Sequence, residues 1–128
     1  MRKVIVTPEF ASYPCDWHFS PGLDTGDFVF LSGITGTRAD LSISADSEVQ
    51  FREAFRILRD NLLHAGLTAR NVVDLTTYHV GLEKHLRVFM KVKDEFIAEP
   101  YPAWTAIGVS ELITDGVLVE IRAIAKRN

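Results

Sequence analysis

The chain has 128 residues, with 14 lysines and arginines against 17 aspartates and glutamates, a formal charge of −3. That length suits a single domain, residues 1–128, whose core is large enough to fold without a metal or disulfide staple. The acidic balance argues against a nucleic-acid binder, the 47% apolar content argues against global disorder, and the single cysteine, Cys15, excludes an intrachain disulfide.

Met1-Arg2-Lys3 leads into a brief apolar run that Pro8 and Glu9 interrupt, too short for a signal-peptide core. No stretch is long and apolar enough to span a membrane, so the expectation is a cytoplasmic protein. Lys3 to Val6 reads as a first strand, and Pro8 to Asp16, with its two prolines, as irregular chain. Phe19–Leu23 and Phe28–Ser32 flank Asp24-Thr25-Gly26-Asp27, which has the chemistry of a hairpin turn. The run Phe28-Val29-Phe30-Leu31-Ser32 is almost continuously apolar, which predicts a strand covered on both faces. Gly33 at its end permits a bulge or a close backbone approach.

From Asp46 to Ala65 the period becomes helical, with Phe51, Phe55, Leu58 and Leu62 on one face. Ser44 or Asp46 supplies the cap, Gly66 the stop, and Glu53 and Arg56 stand three apart for an exposed pair. Val72 to Val80 is rich in β-branched residues and reads as a strand. A second helix follows over Lys84 to Ile97, with Leu86, Phe89, Val92 and Phe96 as its apolar stripe and Pro100 and Pro102 beyond its end. Trp104–Val109 and Val117–Ala125 form the closing strands, joined through Thr114-Asp115-Gly116. The order predicts an α+β fold, a mixed sheet with two helices on one face. Its other face carries too much apolar surface to stay wet, which predicts self-association.

Glu120 interrupts an otherwise apolar strand, where a carboxylate is costly unless it is paired, hydrogen-bonded or used. Strand alternation puts Arg122 on its face, as an ion-pair partner. The four histidines show no metal-ligand spacing, Cys15 has no basic neighbour except His18, and Ser32 lacks a nucleophile-elbow context.

In order and spacing, five pieces resemble the RidA/YjgF family of reactive-intermediate deaminases, also called endoribonuclease L-PSP. They are Phe30-Leu31-Ser32-Gly33, Leu63-His64-Ala65-Gly66-Leu67, the Val72–Val80 strand, Pro102-Ala103-x-Thr105-Ala106-x-Gly108-Val109, and Val119-Glu120-Ile121-x-Ala123-Ile124-Ala125. The resemblance implies a chorismate-mutase-like subunit, a homotrimer whose sheets form a central barrel, and ligand clefts between neighbouring subunits. It also implies hydrolysis of enamine or imine metabolites to a keto acid and ammonia, with no cofactor. Carried over residue by residue, it gives Glu120 as the group that activates water and Ser32 as a ligand contact. Phe19 stands where the deaminases have a tyrosine, Met90 where they have an asparagine, and Trp104 where they have the arginine that grips a carboxylate. Thr105 follows in the same motif.

Tryptophan offers one N–H and no charge, and its ring face attracts cations. The expectation is therefore a divergent branch whose cleft takes a neutral, aromatic or cationic imine-like ligand unless Arg122 or another arginine restores the anchor. A non-catalytic small-molecule-binding trimer is the alternative. Ribonuclease or translation inhibition is suggested only by the family's second label, and the acidic charge opposes it.

Overall fold

The computed structural model of the chain describes residues 2–128. Its strands are β1 (Lys3–Ile5), β2 (Gly22–Asp24), β3 (Phe28–Ile34), β4 (Val72–His79), β5 (Ala103–Gly108) and β6 (Val119–Lys126). They form one six-stranded sheet in the order β1-β2-β3-β6-β4-β5. All neighbours are antiparallel except β4 and β5, which run parallel because α3 (Leu82–Phe96) crosses between them. This is the mixed α+β sheet expected from the order of elements.

The long helices α2 (Ser47–His64) and α3 cover one face of the sheet. Asp46 caps α2 by accepting from the Val49 N–H at 3.0 Å, and Gly66, at φ +78°, turns the chain out of its end. Phe51, Phe55, Leu58 and Leu62 are all buried, as their spacing predicts. Phe51 meets Phe89 of α3 edge-on at 5.3 Å, and Phe55 stacks on Phe96 at 5.4 Å. Beneath them lie the inward residues of the central strands, Val29, Leu31, Leu75, Val119, Ile121, Ala123 and Ala125. Each large aliphatic or aromatic side chain so buried contributes about 1.5–3 kcal/mol. The paired Glu53 and Arg56 lie 2.5 Å apart, and Arg56 also reaches Glu9 and Asp60.

The structure departs from the sequence expectations in three places. Pro8–Phe10 forms a 3-10 turn and Tyr13–Trp17 a short helix, α1, where irregular chain was expected. A proline is compatible with the first turn of a helix because its missing N–H would be unbonded there anyway. The hairpin's first strand covers Gly22–Asp24 rather than Phe19–Leu23, because the Ser20 and Pro21 carbonyls accept from Ser32 instead of joining a regular ladder. Within one chain β3 is covered on one face only: Val29 and Leu31 are fully buried, but Phe28 is 37% exposed. The alternation of the strand sends Phe28, Phe30 and Ser32 to the face away from the helices. On that open face Ile124, Tyr78 and Ile107 extend the apolar surface, with Phe30 opposite Ile124 and Tyr78 opposite Ile107.

Candidate functional site

The site begins with an irregularity in β3. Leu31 pairs with Ala123 and Ile34 with Ile121, so Ser32 and Gly33 together oppose the single residue Arg122. Two residues against one make a β-bulge, a device that redirects side chains at a strand's edge of regularity. The bulge is pinned from outside: the Ser32 hydroxyl donates to the Ser20 carbonyl at 2.6 Å, and the Ser32 N–H donates to the Pro21 carbonyl at 2.9 Å.

Glu120 lies on the open face of β6 and folds its carboxylate across Gly33. A Cβ at Gly33 would stand 2.7 Å from Glu120 Oε1 and 2.8 Å from its Cγ. A side chain at this position would displace the carboxylate from where it lies, so the glycine sets the position of Glu120. Glu120 and Arg122 share this face, as strand alternation requires, but among the described residues they form no ion pair. The structural explanation for an acid in this strand, a local salt bridge, is therefore absent among the described residues.

Over the bulge lies a cavity of about 460 Å³ lined by Ser32, Gly33, Glu120 and Arg122 below and by Tyr13, Trp17 and Phe19 on one rim. Thr35, Thr37, Leu41, Ile113 and Thr114 complete its lining. The aromatic rim is held by ring contacts, Tyr13 to Phe10 at 5.0 Å, to Trp17 at 6.3 Å and to Phe19 at 6.1 Å. Burial first and the Glu9 carboxylate second hold the Tyr13 phenol above its usual range, so it stays a protonated donor. A smaller space of about 70 Å³ continues beneath, between Phe10, Ile34, Ile57 and Asn61.

The Thr114 side of the cavity is anchored by Gln50, which is fully buried in the first turn of α2. Its amide donates to the carbonyls of Ser44 and Gly116, both at 3.0 Å, and its oxygen accepts from the Leu118 N–H at 2.6 Å. One side chain thus fastens the loop before β6 to the start of the helix.

Four of the seven expected site residues, Glu120, Ser32, Phe19 and Arg122, therefore meet in one cavity. The other three do not join them within one chain. Trp104 pairs in register with Leu75 and packs on the helix face of β5, with Phe89 at 6.2 Å. Its indole N–H donates to Thr77 Oγ1 at 2.9 Å, and that oxygen lies 2.7 Å from His79 Nε2. His79 is fully buried, and burial first and His85 second push its pKa down to about 4, so the ring is neutral near pH 7. Met90 is exposed on α3, and Thr105 is exposed on the open face of β5, in a row with Thr76 and Arg122.

Tyr13, Trp17, Gln50, Leu41 and the Ile113–Thr114 tip were not anticipated. Tyr13 and Trp17 stand four apart, a helical spacing that signals α1 once the prolines are placed in its first turns. Gln50 precedes Phe51 on an otherwise apolar helix face, the place where a buried amide must have partners. The loop residues give no sequence signal. Among the described residues no group of three or more His, Cys, Asp or Glu is placed to hold a metal, and no helix is long and apolar enough to cross a membrane.

Comparison with known proteins gives the same frame. The family model described as endoribonuclease L-PSP matches residues 12–127. The chain is 39% identical over 109 residues to the RutC family protein YjgH of Escherichia coli strain K12, covering 84% of this chain and 82% of that protein. The solved structure of protein YJGH superposes with a TM-score of 0.89 at 35% identity, covering 98% of this chain and 95% of the other. The structure of E. coli TdcF with bound serine superposes with a TM-score of 0.79 at 26% identity, covering 86% and 88%. The bulge and the closing strands fall within the matched residues, and the chain belongs to the RidA/YjgF, or endoribonuclease L-PSP, family.

Proposed function

We propose that the chain is an enamine or imine hydrolase that deaminates a small metabolite in the cavity over the β3 bulge, with Glu120 as its general base. The observation that carries this reading is the carboxylate held across Gly33, without an ion pair among the described residues and lining a cavity of about 460 Å³. Water held by Glu120 attacks the iminium carbon and its proton passes to the carboxylate. The proton then passes to the nitrogen of the tetrahedral adduct; as the C–N bond breaks Glu120 takes the proton of the adduct's hydroxyl, a carbonyl product and ammonia leave, and that proton passes to the ammonia or to solvent. Arg122 lies beside the reacting group, Ser32 holds the bulge, and Phe19, Trp17 and Tyr13 form an aromatic wall for the substrate. The reaction balances with water alone, so no cofactor is required.

The active form is a homotrimer in this proposal. The apolar open face bearing Phe28, Phe30, Ile124 and Ile107 supports it, because one chain alone leaves that surface uncovered. A neighbouring subunit would bring Trp104, Met90 and Thr105 toward the cavity, so Trp104 would set specificity. Bound serine in TdcF supports a small amino-acid-derived ligand in this fold.

The test is ammonia release from a panel of imines generated in place by an amino-acid oxidase. Turnover above the uncatalysed rate should fall by about 10²–10⁴-fold in Glu120→Gln, the usual worth of a general base. A variant as active as the parent on every substrate would remove Glu120 from the mechanism. Binding of a panel member with no turnover of any would favour the non-catalytic trimer instead.

A further inference from the structure

Two buried side-chain polar atoms have no hydrogen-bond partner among the described residues, His79 Nδ1 and Asn61 Oδ1. The His79 ring packs edge-on against Phe89, with centroids 4.6 Å apart. Asn61 instead lines the space of about 70 Å³ that continues beneath the Glu120 cavity, and it is only 3% exposed. Packing alone would favour leucine at such a place inside α2, since asparagine is the poorer helix former. The amide nitrogen of Asn61 donates to the Ile57 carbonyl at 2.9 Å, one turn back along the helix. That carbonyl can only accept, so the nitrogen end must face it and the oxygen end is left over. The nearby hydroxyls do not serve it: Ser32 donates to the Ser20 carbonyl and Thr35 to Thr37. An interior acceptor without a donor carries a desolvation cost that a ligand's donor would remove.

The lower space and the main cavity share Tyr13, Phe19, Ser32, Gly33, Thr35 and Thr37, so they are continuous past the glycine that Glu120 lies across. We propose that the lower space is a side-chain subsite, in which Asn61 Oδ1 accepts a hydrogen bond from a hydroxyl or amide N–H at the end of a short substrate arm. The subsite rests on the hydrolytic reading for where the reacting carbon lies, beside Gly33. Phe10, Ile34 and Ile57 wall the methylenes of such an arm. No charged residue lines the space, so an ammonium or carboxylate end would give up its hydration for one neutral contact. At about 10–15 Å³ for each water-sized group, the volume holds an arm of about five non-hydrogen atoms. An apolar arm of equal length leaves the Asn61 oxygen buried and unbonded, so the selectivity lies in what is rejected.

The test compares imines formed in place by an amino-acid oxidase from isosteric pairs, homoserine against norvaline and asparagine against leucine, with the alanine imine as the armless reference. The expected result is a kcat/KM for the homoserine or asparagine imine about tenfold or more above that of its apolar isostere, a preference that Asn61→Leu removes. Each ratio is taken within one preparation, so a changed folded fraction cancels. If Asn61→Leu does not fold, Asn61→Ala gives the same comparison. Turnover of the alanine imine with no preference in either pair, or a preference that survives in folded Asn61→Leu, overturns the subsite while leaving hydrolysis intact. If no imine at all is turned over, the hydrolytic reading has failed, and the corresponding keto acids, titrated calorimetrically, read the subsite by binding alone. Tighter binding of 4-hydroxy-2-oxobutanoate than of 2-oxopentanoate, lost in Asn61→Leu, then upholds it. Equal or undetectable binding overturns it.

Discussion

Replacing Gly33 by alanine tests whether that glycine exists for the backbone or for Glu120. Its φ is not in the left-handed region, so alanine meets no backbone strain, and the loss of unfolded-state freedom should stabilise by about 0.4–1 kcal/mol. The conflict is with the carboxylate, which the new Cβ would meet at 2.7 Å from Oε1. Its Cδ lies closer still, so restoring an ordinary contact of about 3.5 Å requires the carboxylate to retreat by about 1 Å, which rotation of a flexible glutamate achieves cheaply. A displacement of that size at a catalytic group costs about 10²-fold in rate. Gly33→Ala should therefore keep or slightly raise the melting temperature while kcat for imine hydrolysis falls by about two orders of magnitude. Thermal unfolding and ammonia release on the same preparation measure both. A marked fall in melting temperature would show that the backbone, not Glu120, requires glycine. Full activity with Glu120→Gln inactive would show that the carboxylate does not act from where it lies.

His79 should make stability depend on pH in a window set by its pKa of about 4 against about 6.5 in the unfolded chain. The unfolded state binds the extra proton below pH 6.5, so the full stability is present above that value. It is lost progressively as pH falls toward 4, by at most about 3 kcal/mol. Urea unfolding of the wild type should weaken across this range while His79→Gln changes less; parallel curves would contradict the assignment. Gln50→Leu should cost about 2–3 kcal/mol by leaving the Leu118 N–H and two carbonyls without their partner, read from the urea midpoint. An unchanged midpoint would mean that water replaces the amide.

The long elements were legible because a single signal governs each. The Phe51–Leu62 stripe has a helical period, Asp46 and Gly66 mark its ends, and the structure starts the helix one residue after the first and ends it two before the second. Boundaries failed where tertiary bonds compete with local pattern, as at Ser20–Pro21, whose carbonyls Ser32 captures from across the hairpin. The apolar run of β3 misled for a related reason: hydrophobicity on both sides of a strand does not say whether a helix or another subunit covers the second side. Glu120 was visible as a charge out of place. Its dependence on Gly33 was not, because the bulge that brings them together is a property of pairing between two distant strands.

The anchoring of the 110–118 segment by Gln50 separates two things that natural variation and engineering usually find entangled. The base of this loop is fixed at Leu118 and Gly116, while its tip, Ile113 and Thr114, only touches the cavity and is exposed. Changes at the tip can reshape what the cavity admits without passing strain into the sheet, as an exchangeable bit fits a fixed chuck. Libraries confined to residues 111–115, with Gln50 left intact, are thus the economical route to new ligand preferences on this scaffold.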